Sequence, residues 1–330
     1  MPSHLTRSPV VPEAALFLEP VFQRRIWGGG RLAARFGYDV PDGSVGECWG
    51  VSAHANGAAV VRNGTHAGRT LADVWERDPA FFARRDDGQF PLLVKFLDAA
   101  DWLSVQVHPS DEEALRLEGV PLGKTECWYV VEAEPGAELI LGHRAADRDE
   151  LTAMVRAGRW DELLERRPVR AGDFVYVPTG TVHAVGPGLL ICEVQQNCDT
   201  TYRVYDFDRA DAATGQPREL HLDKALQVLR APYDPATTDT AEAPQGVAGG
   251  RRQRLVHGPF FTATRHLVRG DGYAFASPTF EAWTAVDGRG TMNVRDELHP
   301  VAAGDHFVLS AAVGEVAFSG DLTLISCRPD

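Results

Sequence analysis

From Phe17 onward the apolar residues come in short stretches broken by Gly, Pro and Asn, a pattern that predicts many strands and few helices. The clearest stretches are 91–99 (PLLVKFLDA), 102–108 (WLSVQVH), 127–133 (CWYVVEA), 137–143, 173–178 and 189–196. Alternation is explicit in SVQVH. On a strand, Ser104, Gln106 and His108 share one face and Val105 and Val107 the other. Helical signals fall between the strands. Ser110 with Glu113 makes a capping box ahead of EEALRLEG, which Gly119 ends. Residues 147–167 read as one or two amphipathic helices interrupted at Gly158, and 223–230 as another short one. The expected fold is mainly β and mostly antiparallel, with a few covering helices.

The segment from about 232 to 253 is rich in Pro, Ala, Thr and Gly and poor in apolar bulk, which reads as a linker over 236–253. It divides a larger part, 16–235, from a smaller strand-rich part, 254–330, with 1–15 as a flexible tail. An internal repeat supports the division. GDFVYVPTGTVHAV (172–185) aligns without gaps onto the segment from Gly304, so that Asp173 meets Asp305 and the apolar positions match. Pro178 and Gly180 become Ser310 and Ala312, and His183 falls opposite Glu315. The second copy keeps the strand and turn and loses the histidine.

The chain has 330 residues and a net charge of −13, which disfavours nucleic-acid and membrane-surface partners. An anionic substrate would have to be drawn by a local cationic cluster. Five cysteines without a C-x-x-C suggest reduced thiols. No signal-peptide pattern or bilayer-length apolar run occurs, so a cytoplasmic protein is expected.

Candidate chemistry begins at Gln106-Val107-His108, whose amide oxygen and imidazole converge if the segment is a strand. In Gly123-Lys124-Thr125-Glu126 the lysine and glutamate would share a face, and Gly172-x5-Pro178-x-Gly180-x2-His183 is a strand, a tight turn and a histidine. Two histidines, one carboxylate and one amide oxygen suit a borderline divalent ion. With a single anionic ligand the site would stay net positive and could polarise a substrate oxygen. Glu193-x3-Asn197-x-Asp199-x3-Arg203 follows a strongly apolar strand; it is either a cavity wall or an ordinary strand-to-loop transition. Lys95, inside LLVKFLD, either snorkels to the surface or points into a charged pocket. His143, His221, His257, His266, His299 and His306 carry no such context.

The half-motif over 172–183 looks like the second signature of the cupin superfamily, and Gln106-x-His108 stands where the first has H-x-H. Together with WLSVQVHPSDEEA, GKTECWYVV, GTVHAVGPGLLICEVQQNCDTTYRVYDFDR and the early WGG (27–29), the chain resembles type I phosphomannose isomerases of the short bacterial form. The resemblance runs from about residue 16 to the linker and continues weakly to the end. It implies two cupin-type jelly-roll β-barrels, the second without a metal.

It also implies zinc, one ion per chain, on Gln106, His108, Glu126 and His183, though manganese and iron(II) tolerate the same ligands. The family's active-site arginine falls on Arg203 and its pocket acid on Glu193, while Lys124, Ser104, Asp199 and Lys95 match positions implicated in substrate contact or proton handling. The implied reaction interconverts mannose 6-phosphate and fructose 6-phosphate through a cis-enediol, in a monomer or homodimer. Longer members insert a helical domain for which this chain has little room, and VYDFDR after Arg203 also departs from them. An iron oxygenase with two histidines and a carboxylate would predict oxygen consumption; Gln106 and the nearby lysines and arginine fit an anionic sugar better. A sugar-phosphate binding protein would bind without turnover.

Overall fold

The computed structural model describes residues 13–84, 88–210 and 215–330. All but the last three residues of the tail expected over 1–15 lie outside the described residues.

Three antiparallel sheets carry the fold. A seven-stranded sheet runs Phe174–Val177, Glu126–Ala133, Leu189–Gln196, Leu92–Ala99, Val21–Gly29, Val45–His54, Gly57–Ala58. A five-stranded sheet runs Leu164–Pro168, Glu138–His143, His183–Val185, Val105–Val107, Tyr202–Tyr205. Trp27, Leu97, Trp128, Val130 and Ile191 from the first pack with Leu139, Leu141 and Val185 from the second in one buried cluster. Period-two alternation thus turns one face of each sheet to a shared interior, where any polar side chain on that face must find a partner.

The third sheet has nine strands, mostly from the C-terminal part. One edge is completed from the other end of the chain: Ala15–Glu19 pairs with His306–Leu309, and Val60–Val61 follows. Packing between the parts is close, since a Cβ on Gly50 would meet the His306 ring at 2.1 Å. The stretch read as a linker holds a 3-10 turn (Pro235–Thr238) and a hairpin of Gln245–Val247 with Gly250–His257. The repeat is visible in the backbone. Gly172 and Gly304 both take left-handed φ, 92° and 94°, before the strands Phe174–Val177 and His306–Leu309. Glu315, opposite His183, starts a strand and is exposed.

The capping box closes as expected on Asp111–Glu118: Ser110 Oγ accepts from the Glu113 amide, Glu113 accepts from the Ser110 amide, and Gly119 ends the helix at φ 73°. Arg148–Arg156 and Trp160–Leu163 are separate helices around Gly158, but Leu164–Pro168 is a strand. Local amphipathicity there yields to an open sheet edge, where 164–168 pairs with 138–143. Among the described residues no helix is long and apolar enough to cross a membrane. Asp111 Oδ1 accepts from the Gly123 amide and from Gln196 Nε2, so this helix start also holds the loop before Lys124. Ser110→Ala is therefore expected to cost about 1 kcal/mol, measured by chemical denaturation.

Candidate metal centre

Each sheet contributes one wall. On the five-stranded sheet Gln106 lies directly opposite His183 on one side and Arg203 on the other. On the seven-stranded sheet Lys95 lies opposite Glu193 and Trp49, and Glu193 opposite Trp128, while Gln195 pairs with Glu126. The GKTE segment enters this sheet through a close approach. A Cβ on Gly123 would stand 2.4 Å from the Pro109 carbonyl, so only glycine lets the chain turn Lys124 inward beside His108.

His108, Glu126 and His183 are fully buried, and one ligating atom of each lies within 4.8 Å of the others. Glu126 Oε2 is 3.4 Å from His108 Nε2, and Oε1 is 3.3 Å from His183 Nε2. The Nδ1 atoms lie 2.9 Å from the Thr200 and Thr181 carbonyl oxygens, respectively. Nδ1 must therefore carry the proton, which leaves both Nε2 lone pairs facing the centre. Burial, with Lys124 nearby, pushes the His108 pKa down to about 3, and burial also lowers that of His183, so both rings are neutral. Gln106 completes the ring, its Nε2 3.3 Å from His183 Nε2 and 3.5 Å from His108 Nε2; half a turn of the amide puts Oε1 there instead.

Neither Glu126 oxygen has a hydrogen-bond partner, although the carboxylate is wholly buried. Burial pushes its pKa up, but the Lys124 ammonium outweighs that and holds it well below the carboxylate range. Lys124 Nζ donates to His108 Nε2 at 3.1 Å and forms an ion pair with Oε2 at 2.9 Å. Its own pKa is raised because Glu126 and Glu193 overcome the burial that disfavours its charge. A buried carboxylate with unused lone pairs, beside two imidazoles locked in the ligating tautomer, fits a divalent cation.

Beside this centre lies a cavity of about 320 Å³ lined by Lys95, Ser104, Gln106, Lys124, Glu193, Asp199 and Arg203. Of the residues in the Glu193–Arg203 stretch, Glu193, Asp199 and Arg203 line it and Asn197 does not. Lys95 does not snorkel. It is buried, 3.3 Å from Glu193 Oε2 and 3.9 Å from Glu47 Oε2, and lies over the Trp49 ring. Glu193 Oε1 accepts from Trp128 Nε1 at 2.9 Å, and burial with Glu126 raises its pKa against the pull of Lys95 and Lys124. Asp199 stands at the rim, half-exposed, accepting from Asn56 Nδ2 at 2.5 Å. Arg203 donates to the Glu219 carbonyl at 2.7 Å, but its buried Nε has no partner. Burial and the neighbouring Arg218 lower its pKa, a strain that a bound anion would relieve.

Arg25, Trp27, Glu47, Trp49 and Arg218 also line the cavity, and of these only Trp27, within WGG, belongs to a motif of the sequence analysis. Glu47 could have been found by the signal that marked Lys95, a lone charge in an apolar strand (VGECWGVS). Arg218 carries no local signal; Asp206 accepts from its Nε at 2.8 Å and holds it in place. Five cations (Arg25, Lys95, Lys124, Arg203, Arg218) against three carboxylates (Glu47, Glu193, Asp199) make the local cationic cluster that the acidic chain requires of an anion site.

Residues 16–129 match the family model for the phosphomannose isomerase type I catalytic domain, and 252–329 that for the mannose-6-phosphate isomerase cupin domain. The chain is 44% identical over 311 residues to a mannose-6-phosphate isomerase of Streptococcus mutans, covering 94% of this chain and 97% of that one. It is similar to the crystal structure of the Bacillus subtilis mannose 6-phosphate isomerase, with a TM-score of 0.91, 39% identity, and coverage of 96% and 100%. A zinc-bound mannose 6-phosphate isomerase shares the fold at a TM-score of 0.78 and 16% identity, over 96% of this chain and 100% of that one.

Proposed function

This chain belongs to the type I phosphomannose isomerase family, and we propose that it interconverts mannose 6-phosphate and fructose 6-phosphate. The observation that carries the proposal is the buried Glu126 carboxylate, ion-paired only with Lys124 and ringed by His108, His183 and Gln106, beside a cavity rich in cations. Gln106, His108, Glu126 and His183 would hold one divalent ion per chain, zinc by the donor set, with manganese and iron(II) as alternatives. When bound, the ion supplies Lewis acidity toward a sugar oxygen.

The protein's own groups do the rest. Moving a proton between C1 and C2 through a cis-enediol needs a base at those carbons, and Glu193 is that base. Arg203 faces the negative charge that develops on the sugar oxygens, with a planar fork suited to an oxyanion. Lys124 handles a proton during ring opening. Lys95, Ser104 and Asp199 contact the sugar phosphate, with Lys95 also holding Glu193 in place. The catalytic unit is 16–235, and 254–330 is a second cupin without metal. The enzyme acts in the cytoplasm as a monomer or homodimer.

Coupled turnover of mannose 6-phosphate to fructose 6-phosphate tests the proposal. Activity should disappear with a chelator and return with added zinc. Fully metallated protein that binds the sugar phosphate without turning it over would overturn the enzyme reading.

A further inference from the structure

A second cavity, of about 300 Å³, opens in the C-terminal sheet and shares no lining residue with the metal-centre cavity. Three adjacent strands build its wall. Arg254 pairs with Thr264 and Thr262 with Arg328, and Arg252 and Arg254 are two residues apart, so these side chains share one face. At its inner end lies Glu281, the first residue of Glu281–Val294.

Two features of this cavity are unresolved within the protein itself. The first concerns charge. Arg254 is paired with Glu242, its Nε 2.8 Å from the carboxylate, but Arg252 and Arg328 form no ion pair among the described residues. Glu281 draws on both guanidiniums without forming an ion pair with either, so their forked donors stay available to phosphate oxygens. The second concerns Glu281, which is only 3% exposed while its Oε2 makes no hydrogen bond. Ser326 and Ser277 stand close enough to pull on the carboxyl as hydrogen-bond donors, yet neither satisfies Oε2 and Ser277 Oγ makes no well-formed bond. Burial pushes the Glu281 pKa up to about 7, against the pull of the serines and of Arg328 and Arg252. A buried acceptor left open in this way costs stability unless a ligand donates to it.

One ligand answers both. We propose that this cavity is a second binding site for a small phosphorylated polyol, its phosphate held by Arg252 and Arg328 and its hydroxyls donating to Glu281. The volume lies at the lower end of small-molecule pockets, which suits a ligand of sugar-phosphate size. The inference does not rest on the isomerase reading, because none of these groups belongs to the metal centre.

Equilibrium dialysis of the metal-loaded protein with labelled fructose 6-phosphate tests it; interconversion of the label does not alter the count. The wild type should retain one equivalent per chain more than the Arg252→Ala/Arg328→Ala variant. Equal counts for the two proteins overturn the proposal. Glu281→Gln should keep the equivalent but bind about tenfold more weakly, as expected for loss of a hydrogen bond to a charged acceptor. Unchanged affinity there would remove Glu281 from the site. Failure of the metal-centre reading would show as absent turnover, which leaves the difference in bound equivalents readable.

Discussion

Glu126→Gln is expected to empty the metal centre and to lower turnover by on the order of 10³. The substitution keeps the shape of the side chain and removes the one anionic ligand, so two neutral imidazoles and two amides are left to hold a dication. Lewis acidity is worth several kcal/mol in the transition state, and each ~1.4 kcal/mol is a factor of ten in rate. A second loss follows from Lys124, which is buried with Glu126 Oε2 at 2.9 Å. Breaking a buried ion pair from one side costs about 3 kcal/mol or more, because the remaining charge is stranded. The variant should therefore bind little zinc by elemental analysis and should unfold at lower denaturant than metal-free wild type. Lys124→Met separates the two effects: it removes the lysine charge while leaving all four ligands, so metal content should persist and turnover should fall. A Glu126→Gln protein that keeps both metal and activity would remove Glu126 from the ligand set.

The parts of this site that were legible in the sequence are those governed by local geometry. Gln106 and His108 share a face because a strand alternates, and the Ser104 hydroxyl lies 3.3 Å from Gln106 Oε1 on that same face. The capping box at Ser110 and the left-handed turns at Gly119, Gly172 and Gly304 are likewise one-segment properties. What stayed hidden depends on which distant strands meet. Nothing near Ala15–Glu19 says that it will pair with His306–Leu309, and Leu164–Pro168 becomes a strand only because Glu138–His143 offers an edge. Periodicity left Lys95 open between surface and pocket; cross-strand register decides it, by setting Glu193 opposite and Glu47 on the next strand. Arg218 reaches the cavity through an ion pair to Asp206, a contact no spacing rule anticipates. The family resemblance supplied roles for the motif residues, and it was silent about the cavity of the C-terminal sheet because no motif marks it.

Glu193→Gln is expected to slow exchange of the C2 hydrogen with solvent by about 10²–10⁴, the usual contribution of a positioned base, with metal content unchanged. Its own contacts are distinct from those of the ligands: Trp128 holds Oε1 at 2.9 Å and Lys95 stands 3.3 Å from Oε2, on the wall of the cavity Glu193 lines. Burial, with Glu126 adding to it, raises its pKa above the ordinary value of 4.5. A base works when ionised, so kcat/KM should fall as pH drops through that raised value. The acid limb of the profile should therefore lie above the pH at which an exposed glutamate titrates, and it should be lost in the variant's residual activity. Because the folded-state pKa is raised, the ionised carboxylate costs stability as pH rises through it, and Glu193→Gln removes that cost while also taking a partner from Lys95. Lys95→Met tests the positioning role separately. It should depress kcat with zinc retained and shift the acid limb further upward, since the cation that favours ionised Glu193 is gone. Unimpaired C2 exchange in Glu193→Gln would eliminate it as the base and turn attention to Glu47, the remaining buried carboxylate that lines the cavity.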